Sequence, residues 1–194
     1  MKTIYLFQHS VPETCDRPNP EIPLSPGGKK AIRDLIEKTG LRFDRVLSSP
    51  CRRALETASF FHCFPVMPDE RLIERRIGDP DCFTSEKWAL QYYDPDFKDE
   101  KGESFRETRD RMTECLSDII ERMADGEKVA VVSHAAAICA YRQNFCDIRV
   151  VDAERKIRRF IREGRLVHEG SIETPSFFEM SIDGNRTVNV RYRE

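Results

Sequence analysis

Residues 128–134 read KVAVVSH, with four consecutive apolar residues at 129–132, and AAAICAYRQNF follows without a break. A strand that is apolar at every position must be covered on both faces. That demands a central place in a parallel sheet with helices on either side. The N-terminal run IYLF (4–7) is also uniformly apolar and ends at Gln8-His9-Ser10. FDRVLSS (43–49) has the same character and leads directly into CRRALETASFF, where Ala54, Leu55, Ala58 and Phe61 recur at helical spacing. Each strand-type run thus gives way to a helix-type run.

The connecting segments agree. In LSPGGKKAIRDLIEKTG, Ser25 suits an N-cap and Pro26 the first helical position, and Gly40 ends a helix with Ala31, Leu35 and Ile36 on its apolar face. GESFRETRDRMTECLSDIIERMADG (102–126) predicts a long amphipathic helix, with Met112, Leu116, Ile119, Ile120 and Met123 on one face. The chain closes with SFFEMSI and RTVNVRYR around Asp183-Gly184, a hairpin signal. Together these elements predict one domain over residues 1–194, of α/β class. Its core is a three-layer α/β/α arrangement with a mostly parallel central sheet, closed by a C-terminal β-hairpin.

Two stretches are less regular. Residues 65–102 carry prolines at 65, 68, 80 and 95 around a short helical patch at Trp88, the pattern of a functional loop or lid. Residues 147–166 are basic, with Arg149, Arg155, Lys156, Arg158, Arg159, Arg162 and Arg165 against Asp152, Glu154 and Glu163. Val151, Ile157, Phe160 and Ile161 give this run a partial helical stripe, so the solvated face of a helix is expected there.

Composition excludes several classes. With 34% charged residues and a net charge of −2, nothing points to a nucleic-acid or membrane partner. No apolar stretch approaches the roughly 20 residues that span a bilayer, and the Ile4–Phe7 run is too short for a secretory signal. The seven cysteines form no CxxC pair and are odd in number, which argues for reduced thiols and a cytoplasmic setting.

In open α/β sheets ligands sit at the carboxyl ends of the strands. Two of the four histidines, His9 and His134, fall there, and Arg52 and Arg53 follow the strand that ends in SSP. One strand-end histidine alone reads as a hydrogen-bonded structural residue. Two of them beside an arginine pair suit an anionic ligand, most naturally a phosphate. Arginine offers a fixed fork of donors, one imidazole can attack phosphorus, and another can hydrogen-bond the transferring group. A metal hydrolase built on His9, His134 and Glu74 is the unrelated alternative, but no HxH or HExxH motif supports it.

Six motifs in order, FQHS, LSPGG, SSPCRRALETA, RLIERRIG, GESFRETRDR and VVSHAA, make the chain resemble the histidine phosphatase superfamily, also called phosphoglycerate mutase-like. The resemblance covers residues 2 to about 145. It implies a metal-independent phosphomonoesterase that needs no cofactor and takes a small phosphorylated substrate. It further implies that His9 is the phosphate-accepting nucleophile and that Arg53 and His134 line the phosphate pocket. Glu74 becomes the acid that protonates the leaving alkoxide and then activates water; outside the resemblance it is one more surface carboxylate. Arg52 is expected at the rim, and Glu103 and Ser104 at the cap of the long helix. A homodimer is left open.

The departures bear on rate. The family carries arginine immediately before its nucleophile, and this chain has Gln8. Glutamine can donate neutral hydrogen bonds to phosphate but brings no charge and no fork. Three readings follow: a slow enzyme in which Arg52, Arg75 or Arg76 partly replaces the charge, a pseudo-phosphatase that only binds phosphorylated ligands, or a substitution peculiar to this sequence. Ser10 replaces the family's glycine, with a hydroxyl expected to face the pocket. Cys15 stands where an asparagine is usual, and Asn19 lies four residues later. The short, proline-broken 75–102 segment favours hydrolysis over a mutase reaction.

Overall fold

The computed structural model describes residues 1–194. The chain opens with β1 (Lys2–Gln8), α1 (Pro26–Thr39), β2 (Arg45–Ser48), α2 (Arg52–Ser59) and the short β3 (Val66–Pro68). Next come α3 (Ser85–Tyr93), α4 (Phe105–Glu121), β4 (Lys128–Ser133) and α5 (Ala135–Arg142). Five strands close it: β5 (Asp147–Asp152), β6 (Ile157–Arg162), β7 (Arg165–Gly170), β8 (Ser176–Asp183) and β9 (Arg186–Arg193).

The main sheet has the order β3-β2-β4-β1-β8-β9. Strands β1 to β4 are mutually parallel, while β8 runs antiparallel to β1 and turns back through Gly184 into β9. Both central strands are covered on both faces, as their unbroken apolar character requires. Ile4, Leu6, Val129 and Val131 pack with Met112, Leu116, Ile119 and Ile120 of α4. Tyr5, Phe7, Ala130 and Val132 pack with Ile32, Leu35 and Ile36 of α1 and with Ala54 and Ala58 of α2. The register sets Gln8 opposite Ser133 and Ser48 opposite Val132. The ends of β1, β2 and β4 therefore reach one level, and the residues just beyond them meet.

The basic 147–166 run is not a helix. It forms β5, β6 and the start of β7, which pair antiparallel in that order as a second sheet. Its apolar residues alternate with period two: Ile148 on β5 and Phe160 on β6 are buried, and so is Arg158. Glu163 and Gly164, with φ of 50° and 75°, form the two-residue turn between β6 and β7. This sheet packs against α5 and β8 through Arg142, whose guanidinium is sandwiched between the rings of Phe160 at 4.5 Å and Phe178 at 3.6 Å. The 65–102 segment has the expected helix at Trp88 and also supplies β3, which pairs in parallel with β2 as an edge strand.

Local signals set the helix ends. Ser25 Oγ accepts from Gly28 N at 2.9 Å, and Gly40 closes α1 with φ 62°. At α4, Ser104 Oγ accepts from Glu107 N while Glu107 accepts from Ser104 N, a reciprocal capping box. Glu103 does not join this cap; it pairs instead with Arg111. Gly28 has a further constraint, because a Cβ there would lie 2.1 Å from the carbonyl oxygen of Val11. The close approach of α1 to the loop after His9 leaves room for glycine alone. Gly28→Ala is expected to cost about 1–3 kcal/mol, the usual penalty of overpacking. Chemical denaturation would read this, and an unchanged midpoint would show that the loop yields freely.

Candidate active site

Three strand ends and one helix meet at the site. His9 leaves β1, Ser49 leaves β2, His134 leaves β4, and Arg53 sits in the first turn of α2. The imidazoles of His9 and His134 lie 4.9 Å apart, centroid to centroid. Arg53 bridges them: its Nε donates to His9 Nε2 at 3.1 Å and its Nη2 to His134 Nδ1 at 3.2 Å. Its Nη1 donates to the carbonyl oxygen of Asn19 at 2.7 Å, so the loop after β1 folds over the same guanidinium. Arg53 carries a full charge yet is only 6% exposed.

One contact assigns the tautomer of His9. His9 Nδ1–H donates to the carbonyl oxygen of its neighbour Ser10 at 2.8 Å, which leaves the Nε2 lone pair toward Arg53. Burial pushes the His9 pKa down to about 4; the Arg53 charge adds to this and the Ser10 bond opposes it. His134 is held well below its ordinary value by burial first and then by the charges of His9, Arg53 and Arg111. Both rings are neutral at pH 7. His134 Nε2 meets Ser49 Oγ at 2.9 Å, and a hydroxyl can accept from or donate to that nitrogen. The ring can therefore offer Nδ1 either as an acceptor to Arg53 or as a donor to an anion.

Glu74 sits at the N-terminus of α5. Its Oε1 accepts from Ala137 N at 2.9 Å and from Arg75 N at 2.8 Å, and its Oε2 accepts from Ala136 N at 3.3 Å. Burial pushes its carboxyl pKa up, while those three backbone donors and the Arg53 charge pull against it. A carboxyl with a raised pKa can hold a proton closer to neutrality than a surface carboxylate, as proton donation to a leaving group needs.

The remaining expected residues are placed as follows. Gln8 Nε2 donates to Thr174 Oγ1 at 2.6 Å, and its buried Oε1 has no partner. The Ser10 hydroxyl, expected to face the pocket, instead donates to the carbonyl oxygen of Gly28 at 2.7 Å, because the close packing of α1 brings that carbonyl within reach. Arg52 is exposed and paired with Glu56. Arg75 donates to Gln91 Oε1 and to the carbonyl oxygen of Phe97 and lies over the rings of Phe83 and Phe105. Arg76 is exposed, and its backbone bonds with Glu103. None of Arg52, Arg75 or Arg76 hydrogen-bonds Gln8 or His9. Arg53 also sets a cation against both imidazoles, where a metal would need their lone pairs.

Four residues with no role assigned from sequence take part. Ser49 orients His134. Thr57 Oγ1 accepts from Ser10 N at 2.9 Å and so holds the turn after His9. Arg111 braces the segment that carries Glu74, and Thr174 fixes Gln8. Ser49 and Thr57 lie within SSPCRRALETA and Arg111 within GESFRETRDR, so their proximity to the motif was the available signal. Thr174 had none.

A family model for histidine phosphatase superfamily (branch 1) matches residues 8–158. The chain belongs to that superfamily. A search of curated protein sequences returns no match. Among solved structures, a mycobacterial glucosyl-3-phosphoglycerate phosphatase superposes with TM-score 0.69 at 18% identity, covering 98% of this chain and 95% of its own. A phosphoserine phosphatase from Entamoeba histolytica, in complex with 3-phosphoglyceric acid, superposes with TM-score 0.71 at 17% identity, covering 100% of this chain and 98% of its own. These likenesses establish the phosphoglycerate mutase-like fold of this histidine phosphatase chain.

The buried neutral His9 has a thermodynamic signature. The unfolded chain binds a proton at His9 near pH 6.5, and the folded chain does not until about pH 4. This stability is complete above 6.5 and withdrawn as the pH falls between those values. At about 1.4 kcal/mol per unit, His9 removes about 3 kcal/mol. Denaturation midpoints measured across this range should fall, and fall less in His9→Gln. Equal slopes in the two proteins would show that His9 is not held neutral.

Proposed function

We propose that this histidine phosphatase chain hydrolyses small phosphate monoesters through a phosphohistidine at His9, at a rate reduced by Gln8. The observation that carries the reading is the single guanidinium of Arg53 bonded to two neutral imidazoles. In the reaction, phosphoryl oxygens take over the Arg53 donors now spent on the histidines. His9 Nε2 forms a bond to phosphorus as the ester P–O bond breaks, and Glu74 gives its proton to the departing alkoxide. Glu74, now ionised, takes a proton from water, which attacks phosphorus and breaks the P–N bond. Phosphate leaves and His9 is restored. Through the Ser49 contact, His134 presents Nδ1–H to a phosphoryl oxygen in both steps.

Gln8 is the weak point. A preorganised donor to a developing oxyanion is worth about 10²- to 10³-fold in rate, and a charged fork can be worth more. The neutral amide of Gln8 supplies no charge, and the side chains of Arg52 and Arg75 are paired with Glu56 and Gln91. The competing reading is a pocket that binds phosphorylated ligands without turning them over. It draws on the Gln8 amide being tied to Thr174. A mutase reaction ranks lower, on the shortness of the 75–102 segment. The names of the two structural neighbours make phosphoglycerate esters and phosphoserine the first members of a substrate panel.

With a chromogenic phosphate monoester, Gln8→Arg should raise turnover at least about tenfold and His9→Ala should abolish it. Vanadate binding without any His9-dependent turnover would establish the binding-only reading instead. The pH profile is a second check. For an alkyl phosphate, the kcat/KM value should rise as His9 loses its proton near pH 4 and fall at higher pH as Glu74, its pKa raised by burial, loses its own. A profile with no alkaline fall would remove Glu74 as the proton donor.

A further inference from the structure

Glu74 is carried by a stretch that belongs to neither sheet. Residues 71–74 leave a single 3-10 turn (Glu70–Leu72) and reach the pocket without a strand partner. Their carbonyl oxygens need donors, because an unpaired buried carbonyl is costly. All four find side chains. Arg111 Nη1 donates to the carbonyls of Arg71 at 2.7 Å and Ile73 at 2.9 Å, and its Nη2 to that of Glu74 at 3.3 Å. The carbonyl of Leu72 is taken by Ser133 Oγ at 2.8 Å. Arg111 spends its other donors on Glu103, with Nε to Oε1 at 2.6 Å and Nη2 to Oε2 at 2.8 Å. Five N–H bonds account for the whole guanidinium.

Glu103 completes the brace from the far side. Its N–H donates to the carbonyl of Arg76 at 2.7 Å, and its Oε2 lies 3.4 Å from Arg76 N. Glu103 is 3% exposed, so its charge depends on Arg111 for compensation. Ser133 has a second attachment, since it is the last residue of β4 and the next residue is His134. The N-terminal part of α4 and the end of β4, which carries His134, thus fix the backbone on which Glu74 rides.

We infer that Arg111 and Ser133 are positioning residues for Glu74, holding its carboxyl at the distance from which it protonates the leaving group. The inference rests on the reading of Glu74 as the proton donor. Neither side chain hydrogen-bonds His9, Arg53 or His134; both hold the four carbonyls. Their loss should therefore resemble a misplaced acid rather than a lost phosphate contact. A misplacement of about 1 Å costs about 10²-fold in rate.

The distinguishing measurement is dependence on the leaving group. An alkyl phosphate needs its alkoxide protonated, whereas p-nitrophenolate departs without help. The kcat/KM value reports phosphoryl transfer to His9 and not the later attack of water. It is compared for a simple alkyl phosphate and p-nitrophenyl phosphate in the Gln8→Arg protein and in the same protein carrying Glu74→Gln, Arg111→Ala, Arg111→Lys or Ser133→Ala. Glu74→Gln should depress the alkyl substrate far more than the nitrophenyl one. Arg111→Ala should give the same pattern, with the alkyl kcat/KM down about 30- to 100-fold and the nitrophenyl kcat/KM within about threefold. Ser133→Ala, which frees one carbonyl, and Arg111→Lys, which keeps the charge but not the fork, should show smaller versions of it. Both keep the test alive if Arg111→Ala does not fold.

If Glu74→Gln shows the pattern while the Arg111 and Ser133 variants slow both substrates equally or neither, the positioning role is wrong. If Glu74→Gln itself slows both equally, Glu74 is not the proton donor and both readings fall. Absence of turnover on both substrates in the parent protein and in its Gln8→Arg variant alike removes the hydrolase reading and this inference with it.

Discussion

The pairing of β1 with β4 is the constraint on which the rest depends. Both strands are buried on both faces, so their register is set by two helical layers at once. A slip of one residue would turn every side chain to the opposite layer. With Gln8 opposite Ser133, the residues immediately beyond are His9 and His134. The 4.9 Å separation of the two imidazoles follows from strand pairing rather than from any contact between the rings. Arg53, delivered by α2 from the neighbouring strand β2, then fills the space between them.

Electrostatics at the site runs against ordinary surface behaviour. A guanidinium and two imidazoles lie together, nearly free of water, and the imidazoles respond by staying neutral. That neutrality is what a nitrogen nucleophile needs. The carboxyl of Glu74 is pushed the other way, toward its protonated form, although three backbone donors favour the anion. Burial is thus a common cause with opposite consequences for base and acid. Gln8 adds no charge to this balance, and its amide is held by Thr174 from the segment between the two sheets.

Much of this was legible before the structure. Unbroken apolar runs at 4–7 and 129–132 predict buried parallel strands, and Ser25, Pro26 and Gly40 mark a helix that the structure reproduces. His9, Arg53 and His134 were nameable because each stands at or just beyond a strand end, where topology does the gathering. The 147–166 run was misread for an identifiable reason. Its apolar residues fit a short helical stripe as well as a strand alternation, and Arg158 looks like a surface residue. In the folded chain Arg158 is buried beside Trp88 and hydrogen-bonded to Tyr92, contacts supplied by α3 from a distant part of the sequence. The turn residues Glu163 and Gly164 were the one local sign of a hairpin.

By itself, the sequence determined the layered α/β architecture, the strand ends at which chemistry is placed, and the substitution of glutamine beside the expected nucleophile. Periodicity and caps are local properties, and a chain states them residue by residue. Only the tertiary structure decided where the Ser10 hydroxyl points, that Thr174 holds the Gln8 amide, and that Arg111 and Ser133 grip the backbone beneath Glu74. Each of these turns on hydrogen-bond partners far apart in the chain. Glu74 itself shows the division: a motif could name it, but its carbonyl bond to Arg111, 37 residues away, exists only once α4 has docked.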